Sequence, residues 1–366
     1  MANKLKHLID ALRTIPLQSG NRVLATIIET QGSTYQKAGA KMLISKDGEW
    51  LGLLNGGCFE SDLLERAGSV FASGQPVTVF YDMRSADDVI WGLGLGCNGA
   101  VRILLQLLKA EEYFYPLNKL VEALEKDRRG VLMTVIESDH RSLPIGLSLF
   151  LDDEDFKNSH SFWPGELIAS AQIFCLNEKP RFKTHRFEGN TIKVFYEPIR
   201  PLPRLLFVGA GADAIPLMKC AETLGWRVTV IDHRQAYIKP ERFPLAERLI
   251  YCLPQNLAEE LPLERFDAAV MMTHNFEYDA RYLKIIANSR IPFVGLLGPE
   301  ARKERLLDSL GDKASKIADR VFGPVGLDIG AETPEEIAIS IMAGILAAQN
   351  RRRGGQLTSQ KTFANA

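Results

Sequence analysis

Short β-rich runs alternate with helix-period stretches along this chain. Residues 23–29 (VLATIIE) predict a strand and residues 41–45 a second, and Asp47-Gly48 is a hairpin signal behind it. Leu63, Leu64, Ala67, Val70 and Phe71 then recur at the spacing of one helical face. Residues 77–81 read as the next strand, a loop rich in Asp and Gly follows, and residues 101–108 return to the sheet. Residues 1–18 predict an amphipathic opening helix whose charges are spread through it, which is not the layout of a signal peptide.

From residue 131 the same order of elements recurs in degraded form. Val23-Leu24-x-Thr26-Ile27-Ile28-Glu29 matches Val131-Leu132-x-Thr134-Val135-Ile136-Glu137, Leu63-Leu64-x-x-Ala67 matches Leu167-Ile168-x-x-Ala171, and Pro76 matches Pro180. Val79-Phe80-Tyr81 finds its echo in Val194-Phe195-Tyr196. The second copy carries nothing like Gly56-Gly57-Cys58 or Gly96-Cys97. A true repeat therefore predicts two related halves of which the first keeps a site, although short β-rich motifs also coincide by chance.

The run PIRPLP at 198–203 is a stiff linker, because proline restricts itself and its predecessor, and it sets a domain boundary near residue 200. Residues 205–234 then read as strand, glycine turn, helix and a second strand ending in Asp232. Gly209 and Gly211 permit the tight turn and a close approach to a pyrophosphate, with Ala214 as the third small position. Asp232 can accept from ribose hydroxyls; Arg234 can meet a 2′-phosphate or remain solvated. The same pattern suits a Rossmann domain that binds another phosphorylated ligand or none. Strands at 266–273 and 290–298, a helix at 301–310 and a glycine-rich loop at 322–330 complete the second half. The last helix opens with Thr333 as N-cap, Pro334 and Glu336 in a capping box, and its predicted core stripe is Ile337, Ile341, Ile345 and Leu346. The fold class expected is α/β: an N-terminal α+β domain (1–200) with a degenerate internal repeat, a C-terminal Rossmann-like doubly wound domain (201–350), and a tail (351–366).

Composition narrows the partners. With 366 residues, 46% hydrophobic, and a formal charge of −1, the chain has the balance of an ordinary globular protein, which argues against broad electrostatic binding to nucleic acid. Arg351-Arg352-Arg353 reads as a solvated end, and no apolar run reaches membrane-spanning length. The five cysteines, 58, 97, 175, 220 and 252, form no CxxC pair; their odd number and the absence of a secretion signal predict reduced thiols in the cytoplasm. Cys220 and Cys252 read as core residues, as does Cys175 in the strand-like run IFCL.

Candidate chemistry concentrates in the first copy. Cys58 follows Gly56-Gly57 at the start of a helix, where the dipole and free N–H groups favour a thiolate, so it is a candidate nucleophile or soft-metal ligand. Cys97 lies between glycines, and the two thiols can converge on one pocket or simply be small residues in turns. Glu60 can accept a proton or charge the first helical turn. The loop from Gln31 to Gly39, with Ser33 and Lys37, has the hydroxyls and cation of an anion cradle, and also the composition of a surface hairpin. His274 and Asp279 follow a strand at the sheet edge where ligands bind; His274 can orient a ligand, contact phosphate, transfer a proton, or cap a loop. With Gly209, Gly211, Asp232 and His274 in these roles, an NAD(P)-dependent oxidoreductase is one reading.

With these motifs together the chain resembles the XdhC/CoxI family, accessory proteins for xanthine dehydrogenase and related molybdenum hydroxylases. The likeness rests on Gly32-Ser33, Gly39-Ala40-Lys41-Met42, Gly52, Gly56-Gly57-Cys58-Phe59-Glu60 and Gly96-Cys97-Asn98-Gly99 in the first domain. In the second it rests on Gly209-Ala210-Gly211, Leu224-Gly225-Trp226, Asp232-His233-Arg234, Thr273-His274 with Asp279, and the stretch from Pro324 to Glu336. Ala212 stands where members carry His, so any contact by that His is absent, and Gly298-Pro299-Glu300-Ala301-Arg302-Lys303 lacks the usual small hydroxyl. The resemblance implies a cytoplasmic, homodimeric protein that binds molybdenum cofactor (molybdopterin), with Cys58 and Cys97 as molybdenum contacts. It further implies protection of that cofactor during sulfuration, in company with a sulfurtransferase, and transfer to an apo-hydroxylase. A chaperone also accounts for the lack of a complete nucleophile–base–orienter set.

Overall fold

The computed structural model describes residues 20–55, 60–84, 99–157, 162–176 and 179–357. The predicted opening helix lies outside them. Contacts divide the chain into two compact units, Met1–Pro201 and Leu202–Ala366.

The first unit holds two antiparallel sheets. One has the order β3-β2-β1-β5-β4, built from β1 (Arg22–Gly32), β2 (Lys41–Ser45), β3 (Trp50–Gly52), β4 (Val77–Asp82) and β5 (Gly99–Leu108). The other has the order β7-β6-β9-β8, from β6 (Gly130–Ser138), β7 (Ser148–Asp152), β8 (Arg181–Phe187) and β9 (Asn190–Ile199). Helix α1 (Glu60–Ser73) covers one face of the first sheet through Leu63, Ala67 and Val70, which pack on Val23, Ala25 and Ile27. A short helix α2 (Leu117–Glu125) packs Leu120, Ala123 and Leu124 on Leu132 and Ile199, and helix α3 (Gly165–Cys175) covers the second sheet through Leu167 and Ala171 on Val131, Met133 and Val135. The alternate strand residues Ile28, Leu104, Ile136 and Phe195 meet between the sheets. Both faces of β1 and β6 are thus buried, which is why neither strand shows a polar face in its sequence.

The internal repeat is visible in the pairing. β1 and β5 shift register between Ile27 and Glu29; β6 and β9 shift at the equivalent Val135 and Glu137. In each copy the strand before the bulge is closed by the same two backbone bonds, Gly39 N–H to Ile27 and Ile27 N–H to Ala40, against Gly146 to Val135 and Val135 to Leu147. The copies also contact each other across a pseudo-twofold. Pro180 lies over Gly39 and Pro76 over Gly146. Lys41 donates to Glu197 at 2.6 Å, while the symmetric partners, Ser148 and Gln106, sit 3.3 Å apart. One sequence match needs correcting: the counterpart of β4 is β8, so Val79-Phe80-Tyr81 corresponds to the strand after Pro180 and not to Val194-Phe195-Tyr196 in β9. The edge strand β4 and the interior strand β9 both carry a Val-Phe-Tyr run, and only pairing distinguishes them. Cys175 is a core residue as expected, but it sits at the end of α3 rather than in a strand. The run IFCL is apolar because the helix carries hydrophobic residues on all sides.

The second unit is a parallel sheet of order β12-β11-β10-β13-β14-β15, the doubly wound arrangement. β10 (Arg204–Val208), helix α4 (Ala214–Thr223) and β11 (Arg227–Asp232) form the predicted first crossover; β12 (Arg248–Tyr251), β13 (Ala268–Met271), β14 (Val294–Leu296) and β15 (Val321–Phe322) follow. Helix α5 (Phe276–Ile286) and helix α6 (Glu300–Asp308) belong to the second half. Helix α7 (Pro334–Gln349) begins with the predicted capping box: Thr333 Oγ1 accepts from the Glu336 N–H at 3.3 Å, and Glu336 accepts from the Thr333 N–H at 2.9 Å. Its buried stripe runs through Ala338, Ile341, Met342 and Ile345; Leu346 is 41% exposed, a correction to the predicted stripe. The glycine-rich loop is explained by packing, since Gly326 lies directly on Gly344 of α7.

Candidate functional site

Cys58, Cys97, Gly56 and Gly57 lie outside the described residues, but the two ends of the Gly56–Phe59 stretch are defined. Leu54 anchors one end in the core, 1% exposed. Asn55 and Glu60 are buried beside it at 4% and 5%, and the Asn55 backbone N–H donates to Glu60 Oε1 at 3.3 Å. Asn55 Nδ2 is buried with no hydrogen-bond partner among the described residues. Glu60 and Asp62 stand in the first turn of α1, where carboxylates complement the helix dipole. Ser33 and Lys37 are exposed on the loop between β1 and β2, and Lys37 Nζ lies 3.4 Å from Thr34 Oγ1. The Ser33 and Gln31 carbonyls press against Gly99, which leaves no room for a Cβ there and sets this loop at the start of β5.

The repeat supplies an internal comparison. Asp62 of α1 pairs with Tyr81 of β4, and at the equivalent place Glu166 of α3 meets His185 of β8 at 3.3 Å. Each pair ties helix to sheet. Glu60, two residues before Asp62, has Pro164 as its counterpart, two before Glu166. Helix α3 therefore starts and packs on its sheet without a carboxylate at this position.

In the second unit the structure turns the predicted ligand residues inward. Asp232 is fully buried; it accepts from the N–H of Ala210 at 2.7 Å and of Arg234 at 2.8 Å, and from Arg234 Nε and a terminal guanidinium nitrogen at 2.9 and 2.8 Å. Against the cost of burial, the Arg234 guanidinium and these N–H groups hold its carboxyl below the usual range. Arg234 also stacks on Tyr237 at 3.8 Å. His233 stacks on Tyr278 of α5 at 3.6 Å, and burial pushes its imidazole down. Asp279, 2% exposed, accepts from Thr273 Oγ1 at 2.6 Å and from Arg302 at 2.7 Å, tying α5 to α6. His274, by contrast, faces solvent. Its backbone is left-handed, with φ 59°, an uncommon state for a non-glycine residue, and its Nε2 lies 2.8 Å from Asp213 Oδ2.

These residues do not fit NAD(P) as the turn is built. Asp213 sets its carboxylate against Gly211, so that a Cβ there would collide with Oδ1, and a negative charge thereby stands at the N-terminus of α4 where a diphosphate would seat. The carboxylate meant for a ribose is already saturated by Arg234 and backbone N–H groups. Calorimetric titration with NAD+ and NADP+ is expected to give no saturable heat; binding tighter than about 100 µM would mean that Asp213 and Arg234 yield the site.

Sequence reasoning passed over Asn55 and Asp213. Asn55 directly precedes the Gly56-Gly57 pair, and Asp213 follows the second glycine of the turn by two residues, so proximity to those motifs was the available signal. Of the described thiols, burial pushes those of Cys175 and Cys220 up, and that of Cys252 up to about 11, which makes them poor nucleophiles. Cys220 is half-buried rather than part of the core. No cluster of three or more metal-ligating side chains occurs among the described residues, and no helix there is long and apolar enough to cross a membrane.

Comparison with known proteins gives two family matches: "XdhC and CoxI family" over residues 17–82 and "XdhC Rossmann domain" over residues 205–345. A Bacillus subtilis protein named as a probable xanthine dehydrogenase subunit is 35% identical over 331 residues, covering 90% of this chain and 93% of the relative. The Escherichia coli molybdenum cofactor insertion chaperone PaoD is 20% identical over 337 residues, covering 91% and 85%. The crystal structure of a Bacillus halodurans protein described as a xanthine dehydrogenase superposes with a TM-score of 0.77 at 31% identity, covering 97% of this chain and 98% of the other.

Proposed function

This chain belongs to the XdhC and CoxI family, and from that membership we propose that it is an accessory factor of a molybdenum hydroxylase that binds molybdenum cofactor and passes it to the apo-enzyme. The observation that carries the reading is the buried Asn55–Glu60 junction, present in the first copy and replaced by Pro164 in the second. A carboxylate and a carboxamide kept out of water beside a glycine pair, where the fold does not require them, suit a ligand rich in hydrogen-bonding edges. Cys58 and Cys97 would meet the molybdenum, and Ser33 and Lys37 the phosphate. The cofactor supplies the redox-active metal and its terminal sulfur; the protein binds, orients and shields it. PaoD, by its name, performs such an insertion, and its similarity runs along most of this chain. The client proposed is xanthine dehydrogenase or a related hydroxylase, with a sulfurtransferase docking on a homodimer in the cytoplasm.

Purification after co-expression with cofactor biosynthesis, followed by assay of released pterin, tests the proposal. Roughly stoichiometric pterin in the wild type and loss of more than about tenfold in Cys58→Ala/Cys97→Ala is expected, about one to two kcal/mol of binding or more. Equal pterin in both would sink it.

A further inference from the structure

The Asn55 side chain has a buried donor that the described residues leave unused. Its residue is 4% exposed, its backbone N–H is committed to Glu60 Oε1, and Nδ2 has no partner among them. An orphaned buried N–H is costly, because it has given up water without a replacement, and native proteins keep few of them. Two features exclude a purely architectural explanation. Leu54 already fixes the end of the hairpin in the apolar core under α1. In the second copy the helix starts with Pro164 at the position of Glu60, and it packs on its sheet without a carboxylate there.

We infer that Asn55 is a ligand-binding residue, whose carboxamide Nδ2–H donates to an oxygen or sulfur acceptor of the group seated at the N-terminus of α1. The inference rests on the cofactor reading above and deepens it by naming a residue and a bond. The donor is neutral and buried, so it matches a ligand edge that offers a neutral acceptor. The carbonyl and N–H edge of a pterin is one such edge. The backbone bond to Glu60 holds the Asn55 main chain at the loop end, so that the donor is oriented before the ligand arrives.

The test uses the full chain purified from cells that make molybdenum cofactor, with two variants, Asn55→Leu and Asn55→Asp. Each sample is measured for bound pterin and, after cofactor removal, for its thermal midpoint. Asn55→Leu keeps the volume and removes the unused donor; its cofactor-free midpoint is expected to equal or exceed the wild-type value, while pterin retention falls about tenfold. Asn55→Asp keeps the shape but presents an acceptor, and is expected to retain equally little. Undiminished pterin in Asn55→Leu overturns the assignment and leaves the cofactor reading standing. A lower cofactor-free midpoint in both variants, with pterin falling only in step with the folded fraction, overturns it in favour of a structural role. A wild type without pterin overturns both.

Discussion

Lys41→Ser is expected to lower the stability of the first unit by about 3–5 kcal/mol, and adding Glu197→Gln to it is expected to restore about 2 kcal/mol or more. Lys41 and Glu197 face each other with side chains 5% exposed, between the two sheets. Removing the cation alone leaves a carboxylate without its counter-charge in a place closed to water. The double variant rebuilds what the other side of the pseudo-twofold already has, the neutral pair Ser148 and Gln106. The loss also depends on pH. Burial pushes the Glu197 carboxyl up, against the pull of Lys41. Its folded pKa thus lies above the unfolded value of about 4.3, so the folded state binds the proton more tightly and stability falls as pH rises between the two. Without Lys41 that interval widens, and the Lys41→Ser penalty is expected to be smaller at pH 5 than at pH 8. Urea denaturation followed by hydrogen exchange in peptides from β1, β6 and β9 measures both; a pH-independent penalty below about 1 kcal/mol would show that the pair is solvated.

Gly209→Ala is expected to destabilise the second unit by roughly 4 kcal/mol or more, with no ligand involved. Gly209 has φ 128°, which a side-chain-bearing residue does not adopt without strain, and a Cβ there would collide with the Met272 carbonyl and sit 2.8 Å from the Thr273 nitrogen. Both obstacles are backbone of the segment that follows β13 and cannot rotate away. Gly211→Ala is the control: its Cβ would collide only with the Asp213 carboxylate, a side chain that can turn away at the cost of its contact with His274, and a loss of no more than about 1 kcal/mol is expected. Equal stability of the two variants, measured by hydrogen exchange in β10 and β13, would refute this account. The first glycine of the fingerprint is thus held in place by packing, whatever the unit binds.

The legible parts of the chain share one property: their signal is local. The β10–α4–β11 crossover follows from the glycines at 209 and 211 and a helix of the right length, and the capping box follows from Thr333 and Glu336, three residues apart. The repeat could be read from β1 and β6 because the bulge and its apolar run lie within one strand. Sequence comparison matches β4 to Val194-Phe195-Tyr196 because the two look alike in composition, whereas partner strands are chosen by pairing between segments far apart in the chain. The run IFCL around Cys175 reads as a strand for a similar reason: an apolar run of four residues has no period with which to tell helix from strand. At the candidate site the sequence singled out Glu60 but not Asn55, because an asparagine beside two glycines reads first as a turn residue.

The amino-acid order by itself determined the two-domain plan, the family, and the concentration of cysteines and glycines in the first copy, since each is written in spacing along the chain. Tertiary structure alone decided which polar groups are already spent. Asp232 looks like a free ribose ligand until Arg234 closes on it, and Asp213 looks like surface until it covers Gly211. Lys41 and Glu197, 156 residues apart, become partners only when the two sheets meet. Burial and hydrogen-bond satisfaction are properties of the assembled core, and it is they that leave Asn55 with a donor to offer.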